Sequence, residues 1–316
     1  MLIVVVLSFL IQGLVLSEYK QSNGSKVDMK QEKPINVKKF KNGEKRFYKD
    51  FDEYIFYNSQ TKVIEEKVKD RLIKILDDKN NILKTFKKYY KKEEIVEPDE
   101  AVIKEFGEWC KNKKVFIDRI GGAHVYEGGI ISVGEMTYKH FEYKEGRPGE
   151  PFEKSEWFTL YDIQGNKLWG KQYGNKEGGE IKSVSEDGKI IVVCESKPAT
   201  IVPEWYIGPP YNNECIIIYN RNGEEIIRTK EGNYNFPVRI SPNGNFIVCV
   251  SITDASLEVY RGNVIGIDIE KKKIIEYEFE NKIGLVGIKD VNDNGDVVII
   301  RAPGKEEKIN IKKLEK

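Results

Sequence analysis

The sequence predicts an all-β chain folded as a β-propeller of about five four-stranded antiparallel blades, and three observations carry that prediction. The first is a hairpin pattern of apolar run, polar turn and apolar run. It occurs in RLIKILDDKNNILKTF (71–86), LYDIQGNKLWGKQY (160–173), IIIYNRNGEEIIRTK (216–230) and VIGIDIEKKKIIEYEF (264–279). The second is a different turn, Asp or Asn before Gly and then a β-rich run. SVSEDGKIIVVCES (183–196), RISPNGNFIVCVS (239–251) and DVNDNGDVVIIRA (290–302) carry it, with weaker copies at 123–135 and 49–59. The third is order: the two turn types alternate, with a period of about 40–50 residues. A single four-stranded sheet cannot cover both of its own faces, so such modules must stack on one another.

Taken from the N-terminus, the chain opens with an apolar run from Leu2 to Leu16, interrupted by Ser8, Gln12 and Gly13. The run is shorter than the ~20 residues that span a bilayer comfortably, and it ends in Val15-Leu16-Ser17. This pattern predicts a signal peptide over 1–17 and a flexible spacer over 18–34, leaving 35–316 as one propeller domain. The expected location is secreted, periplasmic or in the cell envelope. No Lys or Arg precedes the apolar core, so an uncleaved anchor and a misassigned start codon stay open as alternatives. Stable membrane insertion is expected only if the segment stays uncleaved.

Second-strand signals near residues 54, 130, 190, 246 and 297 set the count at five blades. The last module ends after KINIKKLE, one strand short, and INVKKF (35–40) is a suitable strand to complete it. One segment breaks the strand period. EPDEAVIKEFGEWCKNK has Pro98 placed to start a helix and Val102, Phe106, Trp109 and Cys110 at helical spacing. A short helix is therefore expected near 98–112.

Charge excludes some functions. Lys plus Arg number 52 against 51 for Asp plus Glu, a formal net charge of +1. A chain so balanced has no global field for nucleic acid, and no nucleic-acid partner is expected. The sequence holds no G-x-S-x-G elbow, Walker loop or H-E-x-x-H, so no catalytic residue is assigned. Two histidines, His124 and His140, leave little scope for imidazole chemistry.

SPNGNFIVCVS resembles the turn-and-strand unit of WD-repeat-like and TolB-like propellers, and LYDIQGNKLW resembles the hairpin of quinoprotein-like (PQQ-like) propellers. The resemblance spans roughly 45–316 and is strongest from about 120 onward. It implies architecture and leaves activity open. Quinoprotein dehydrogenases are much longer chains, so no cofactor is expected.

Three loops between second and third strands read as long: 136–157, 197–214 and 252–263. In successive blades such loops share one face. They bring together Tyr138, His140, Tyr143, Arg147, Trp205, Tyr206, Tyr211, Tyr260 and Arg261. Rigid aromatics with Arg suit recognition of a protein, peptide or glycan, though they would equally serve to pack the loops onto the blades. The expected function is an exported, non-catalytic binding or scaffold propeller. The alternative is a propeller hydrolase or lyase acting on polysaccharide or peptide through carboxylate, Tyr and Arg groups of the same face.

Two smaller features complete the reading. Asp290, Asn292 and Asn294 before Gly295 match the opening of a calcium loop, but Val298 and Arg301 stand where later ligands are needed. No metal is assigned, and the calcium candidate is weak. Cys194 and Cys215 flank the Trp205 loop, either as a disulfide stapling its base or as two free buried thiols.

Overall fold

The computed structural model describes residues 32–68, 71–141, 152–174, 177–198, 212–232, 238–255, 260–278, 285–301 and 304–313. The segment expected to be a signal peptide and most of the expected spacer lie outside them. The fold is all-β, five antiparallel sheets in chain order.

A hairpin of β1 (Asn36–Phe40) and β2 (Gly43–Phe47) leads into blade 1, made of β3 (Phe51–Phe56), β4 (Lys62–Glu66), β5 (Leu72–Leu76) and β6 (Ile82–Lys87). β7 (Tyr90–Val96) precedes blade 2, which is β8 (Val115–Tyr126), β9 (Ile130–Phe141), β10 (Glu153–Asp162) and β11 (Lys167–Tyr173). Blade 3 is β12 (Gly178–Val184), β13 (Ile190–Pro198), β14 (Asn212–Asn220) and β15 (Glu225–Arg228). Blade 4 is β16 (Arg239–Ile240), β17 (Phe246–Ala255), β18 (Tyr260–Asp268) and β19 (Lys273–Glu278). Blade 5 has three strands, β20 (Leu285–Val291), β21 (Asp296–Arg301) and β22 (Lys305–Asn310).

The blades pack face to face. Strand alternation sends Ile191 and Val193 toward blade 2. It sends Ile190, Val192 and Cys194 toward blade 4. Corresponding apolar layers lie between blades 1 and 2 (Ile73, Ile75, Ile131, Val133) and between blades 4 and 5 (Val248, Val264, Val297, Ile299). This is the stacking of propeller blades.

Both predicted turn types are present. Gly129, Gly188, Gly244 and Gly295 adopt left-handed φ values of 70°, 68°, 76° and 80° between first and second strands. Left-handed residues also mark the third-to-fourth-strand hairpins at Asn80, Gly165, Gly223 and Lys272. In three of those hairpins one Asp or Asn side-chain oxygen accepts two backbone amides. The acceptors are Asp77 (from Lys79 and Asn81), Asp162 (from Gln164 and Asn166) and Asn220 (from Asn222 and Glu224).

Three expectations about the strands need correction. The closing strand is not donated by residues 35–40: β1 pairs with β2 in register from Asn36↔Phe47 to Phe40↔Gly43. The neighbour two residues away is the cheaper partner, because a short loop costs the least closure entropy. Gly43 makes the hairpin fit, since a Cβ there would lie 2.2 Å from the Ile55 carbonyl oxygen. The second strand of blade 1 is β4, and the segment near residue 54 is the first strand, β3. The blades also differ in size: sheets 1 and 2 carry six and five strands because β1–β2 and β7 extend their inner edges.

The helix expected near 98–112 is α1 (Glu100–Phe106) followed by a 3-10 turn over Glu108–Asn112. Asp99 caps it by accepting from the Val102 amide at 2.9 Å, and Gly107 at φ 88° ends it. Among the described residues no helix is long and apolar enough to cross a membrane.

The disulfide alternative is also corrected. All four cysteines are free and buried. The register sets Cys194 opposite Ile216 and Cys215 opposite Glu195, so the two thiols point to opposite faces of blade 3. Cys194 instead shares the layer between blades 3 and 4 with Cys249. The two stand on the facing sides of blades 3 and 4. Burial pushes the Cys194 thiol up to about 12 and raises Cys249 as well. The native chain is expected to react with an aromatic disulfide reagent only after denaturation, and its melting temperature should not change with reductant. Rapid thiol release from the folded chain would contradict this.

Turn geometry makes a second testable statement. At Gly188 a Cβ would lie 2.0 Å from the Gly128 carbonyl oxygen, whereas at Gly165 it would meet the flexible Lys84 side chain at 3.1 Å and Ile75 at an ordinary 3.5 Å. Gly165→Ala should cost the roughly 1–2 kcal/mol of a left-handed alanine. Gly188→Ala should cost clearly more. Urea unfolding of the two variants measures the difference.

Candidate binding cleft

A cavity of about 440 Å³ opens between the inner parts of blades 2 and 3. Its origin is legible in strand alternation. On β8, Ala123 and Val125 face blade 1, so Gly122, His124 and Tyr126 face blade 3. On β9, Ile131 and Val133 likewise leave Ser132 and Gly134 on the blade 3 side. Farther out the same layer is filled by Ile130, Phe158, Leu160 and Ile217. Gly122, Ser132, Gly134 and Gly179 lack the volume to close it, and a gap remains.

The glycines have local reasons to be there. A Cβ on Gly122 would sit 2.1 Å from the Lys88 carbonyl oxygen, and one on Gly179 would sit 2.2 Å from the Tyr173 hydroxyl. The Lys88 backbone, just before β7, and the Tyr173 hydroxyl thus occupy the space a side chain would need at these two positions.

Polar groups converge on the gap. The His124 ring meets Tyr126 edge-on at a centroid distance of 4.6 Å. The Tyr126 hydroxyl donates across the blades to the Ile181 carbonyl at 3.3 Å. Burial pushes the Tyr126 phenol up to about 12. Burial lowers His124, with the Glu65 charge opposing and Lys45 and Lys88 reinforcing, so the imidazole is neutral at pH 7. Three carboxylates line the wall, each with a donor: Glu135 accepts from the Tyr90 hydroxyl at 2.5 Å, Glu156 pairs with Lys154 at 3.3 Å, and Glu180 with Lys182 at 2.5 Å. Burial pushes Glu156 above the usual carboxylate range. Lys154 and the Gly179 amide oppose that shift, and the nearby Glu180 charge adds to it.

The neighbouring core repeats one polar device. In blade 1 the buried Glu65 accepts from Tyr54 at 2.8 Å, with Lys45 over the Tyr54 ring at 4.6 Å. In the layer between blades 2 and 3 the buried Glu195 accepts from Tyr173 at 2.9 Å, with Lys171 over that ring at 5.4 Å. Such satisfied networks hold the walls rigid.

The residues predicted from the long loops fare unevenly. Tyr143, Arg147, Trp205, Tyr206 and Tyr211 lie outside the described residues. The loops are shorter than expected, because β9 continues to Phe141 and β10 starts at Glu153, while β17 reaches Ala255 and β18 starts at Tyr260. Tyr260 and Arg261 therefore stand in a strand, paired with Ala255 and Asp254. Tyr138 is half-buried on β9, where burial and the Glu156 charge raise its phenol, and this places it next to the cleft. His140 is a core residue at 2% exposure, stacked on Phe116 and bound to Asp118 at 3.3 Å. A surface role expected from its place in a loop does not fit that burial.

The calcium candidate resolves into a turn. Asn292 Oδ1 accepts from the Asn294 and Asp296 amides at 2.9 and 3.0 Å, the pattern of the Asp77, Asp162 and Asn220 hairpins. Among the described residues no group of three or more His, Cys, Asp or Glu side chains is placed to hold a metal ion.

Sequence reasoning passed over His124, Tyr126, Glu135, Glu156 and Glu180. The available signal was Gly inside strand patterns, at 122, 134 and 179, which marks a close backbone approach or a gap.

No family model and no curated protein matches the sequence. The structure is similar to solved β-propellers. It covers 91% of this chain against the tricorn protease at 9% identity and a TM-score of 0.32, and spans 35% of that protein. Against the β-propeller domain of Myceliophteria thermophila Cps50 (Swd1) it is 7% identical, TM-score 0.28, covering 89% of this chain and 96% of that one. An oligogalacturonate lyase in complex with manganese is 10% identical, TM-score 0.34, over 84% of this chain and 75% of that one. The propeller assignment for this chain rests on its own alternating turns and stacked sheets.

The raised Glu156 gives the cleft a pH signature. A carboxyl whose folded value exceeds its unfolded value is penalised when ionised, so the cost is present at neutral pH and vanishes below the unfolded value. Glu156→Gln is therefore expected to raise the melting temperature at pH 7 and leave it unchanged near pH 4. Equal shifts at both pH values would contradict this.

Proposed function

We propose that this chain is an exported, non-catalytic binding propeller that takes a peptide or glycan segment into the cleft between blades 2 and 3. The observation that supports this most is the pairing within the cleft. Glu135, Glu156 and Glu180 each have a hydrogen-bond or ion-pair partner, and burial favours the neutral forms of His124 and Tyr126. Polar groups held this way form a preorganised recognition surface. On the same proposal the segments 142–151, 199–211 and 256–259 serve recognition of a larger partner.

A second reading has one observation in its favour. A carboxyl held above its ordinary range in a cleft is suited to donate a proton, and Glu156 is such a group. On that reading the chain is a hydrolase or lyase of polysaccharide or peptide.

Binding of the purified chain to arrayed glycans and peptides, beside Ser132→Leu, separates these. The leucine fills the cleft and should abolish capture of the bound class while the array ligands stay intact. Capture unchanged by Ser132→Leu sinks the cleft reading. Ligand cleavage that disappears in Glu156→Gln would establish the enzymatic one.

A further inference from the structure

The inner edge of blade 1 offers a second surface, separate from the cleft and independent of the function proposed for it. Among the described residues β1 is the terminal strand of its sheet and pairs only with β2. Its buried contribution is confined to Phe40; the other four residues are exposed. Alternation divides them. Phe40 enters the core, and on its side Lys38 reaches Glu127 at 2.5 Å. The opposite side carries Ile35 at 74% exposure, Val37 at 40%, and Lys39.

The backbone of this strand is open as well. The register closes on Phe40↔Gly43 across a two-residue turn, so Phe40, Lys38 and Asn36 are the positions that bond to β2. Val37 and Lys39 then direct their peptide groups outward. Among the described residues the Val37 amide is met by the side chain of its own neighbour, Asn36 Oδ1, at 2.8 Å.

Charge selects what could pair there. The segment 33–49 carries seven cations and one acid, Glu44; Lys38, Lys45 and Arg46 are paired with Glu127, Asp52 and Glu53, which leaves Lys39 beside Ile35 and Val37 on the exposed side. Like charges placed side by side oppose a second copy of this strand, which is how exposed edges avoid self-association. The same charges favour an acidic strand. We propose that β1 is a strand-addition site for an extended acidic peptide, which would bond to the outward peptide groups of Val37 and Lys39 and cover Ile35 and Val37 with apolar side chains at alternate positions.

The test is fluorescence anisotropy with a labelled octapeptide of alternating Glu and Val. Controls are the Lys–Val octapeptide and a Glu–Val octapeptide methylated on alternate backbone amides. The Glu–Val peptide is expected to bind, and both controls to bind weakly or not at all. Lys39→Glu, an exposed change that leaves folding intact, should weaken binding roughly ten-fold. Val37→Pro removes the outward amide and should abolish binding, with the melting curve confirming that the chain still folds. Equal binding of the methylated peptide would reduce the site to charge attraction and overturn strand addition. So would absence of binding, or binding indifferent to Lys39→Glu. Sedimentation showing a dimer that Val37→Pro dissolves would assign the edge to a second copy and overturn the acidic-peptide reading.

Discussion

Strands that are apolar on both sides impose the architecture of this molecule. Ile191, Val192 and Val193 on β13, Ile216, Ile217 and Ile218 on β14, and Ile247 and Val248 on β17 are all fully buried although they point alternately to opposite faces. A lone sheet would leave both sets in water, at a cost of roughly 1.5–3 kcal/mol for each large side chain. Another sheet on each side removes that cost, so one blade requires the next. The five sheets, their chain order and the apolar layers between them follow from this single constraint.

Stacking also explains where the molecule can carry polar function. Between blades 2 and 3 the apolar layer thins where glycine and serine replace the large residues, and the cleft lies there. Glu156 and Tyr126 could not stand in so sheltered a place without partners, since unpaired buried polar groups are costly, whereas Glu180 at the rim is exposed. The same rule shapes the Glu65 and Glu195 networks deeper in the core. What distinguishes the cleft is open volume beside satisfied groups.

The N-terminal hairpin shows local and long-range forces acting together. β1 and β2 pair because their turn is short. Their tip then ties distant blades: the Lys41 amide donates to Glu186 at 2.8 Å, and the Lys41 ammonium reaches Asn243. The first-to-second-strand turns are linked among themselves, Glu186 to Pro242 and Asn243 to Asp293. These polar ties run along one end of the blades, opposite the end that bears the loops between second and third strands.

By itself the sequence determined most of the blade strands, both turn types, the stacking of sheets and the helix after β7, but not the β1–β2 hairpin, β7 or the full lengths of β9, β10, β17 and β18. The features it determined follow from periodicity and from residues such as Gly165, Gly244 and Asp99, whose conformational demands act within a few residues. Tertiary structure alone decided that residues 35–40 pair locally, that Cys194 faces Cys249 and not Cys215, and that His140 is buried. It also decided that Gly122, Ser132, Gly134 and Gly179 meet from three strands of two blades to leave a cleft. The physical reason is range. A turn or a strand face is set by neighbours along the chain, whereas a gap between sheets depends on which side chains two separately folded surfaces bring opposite each other.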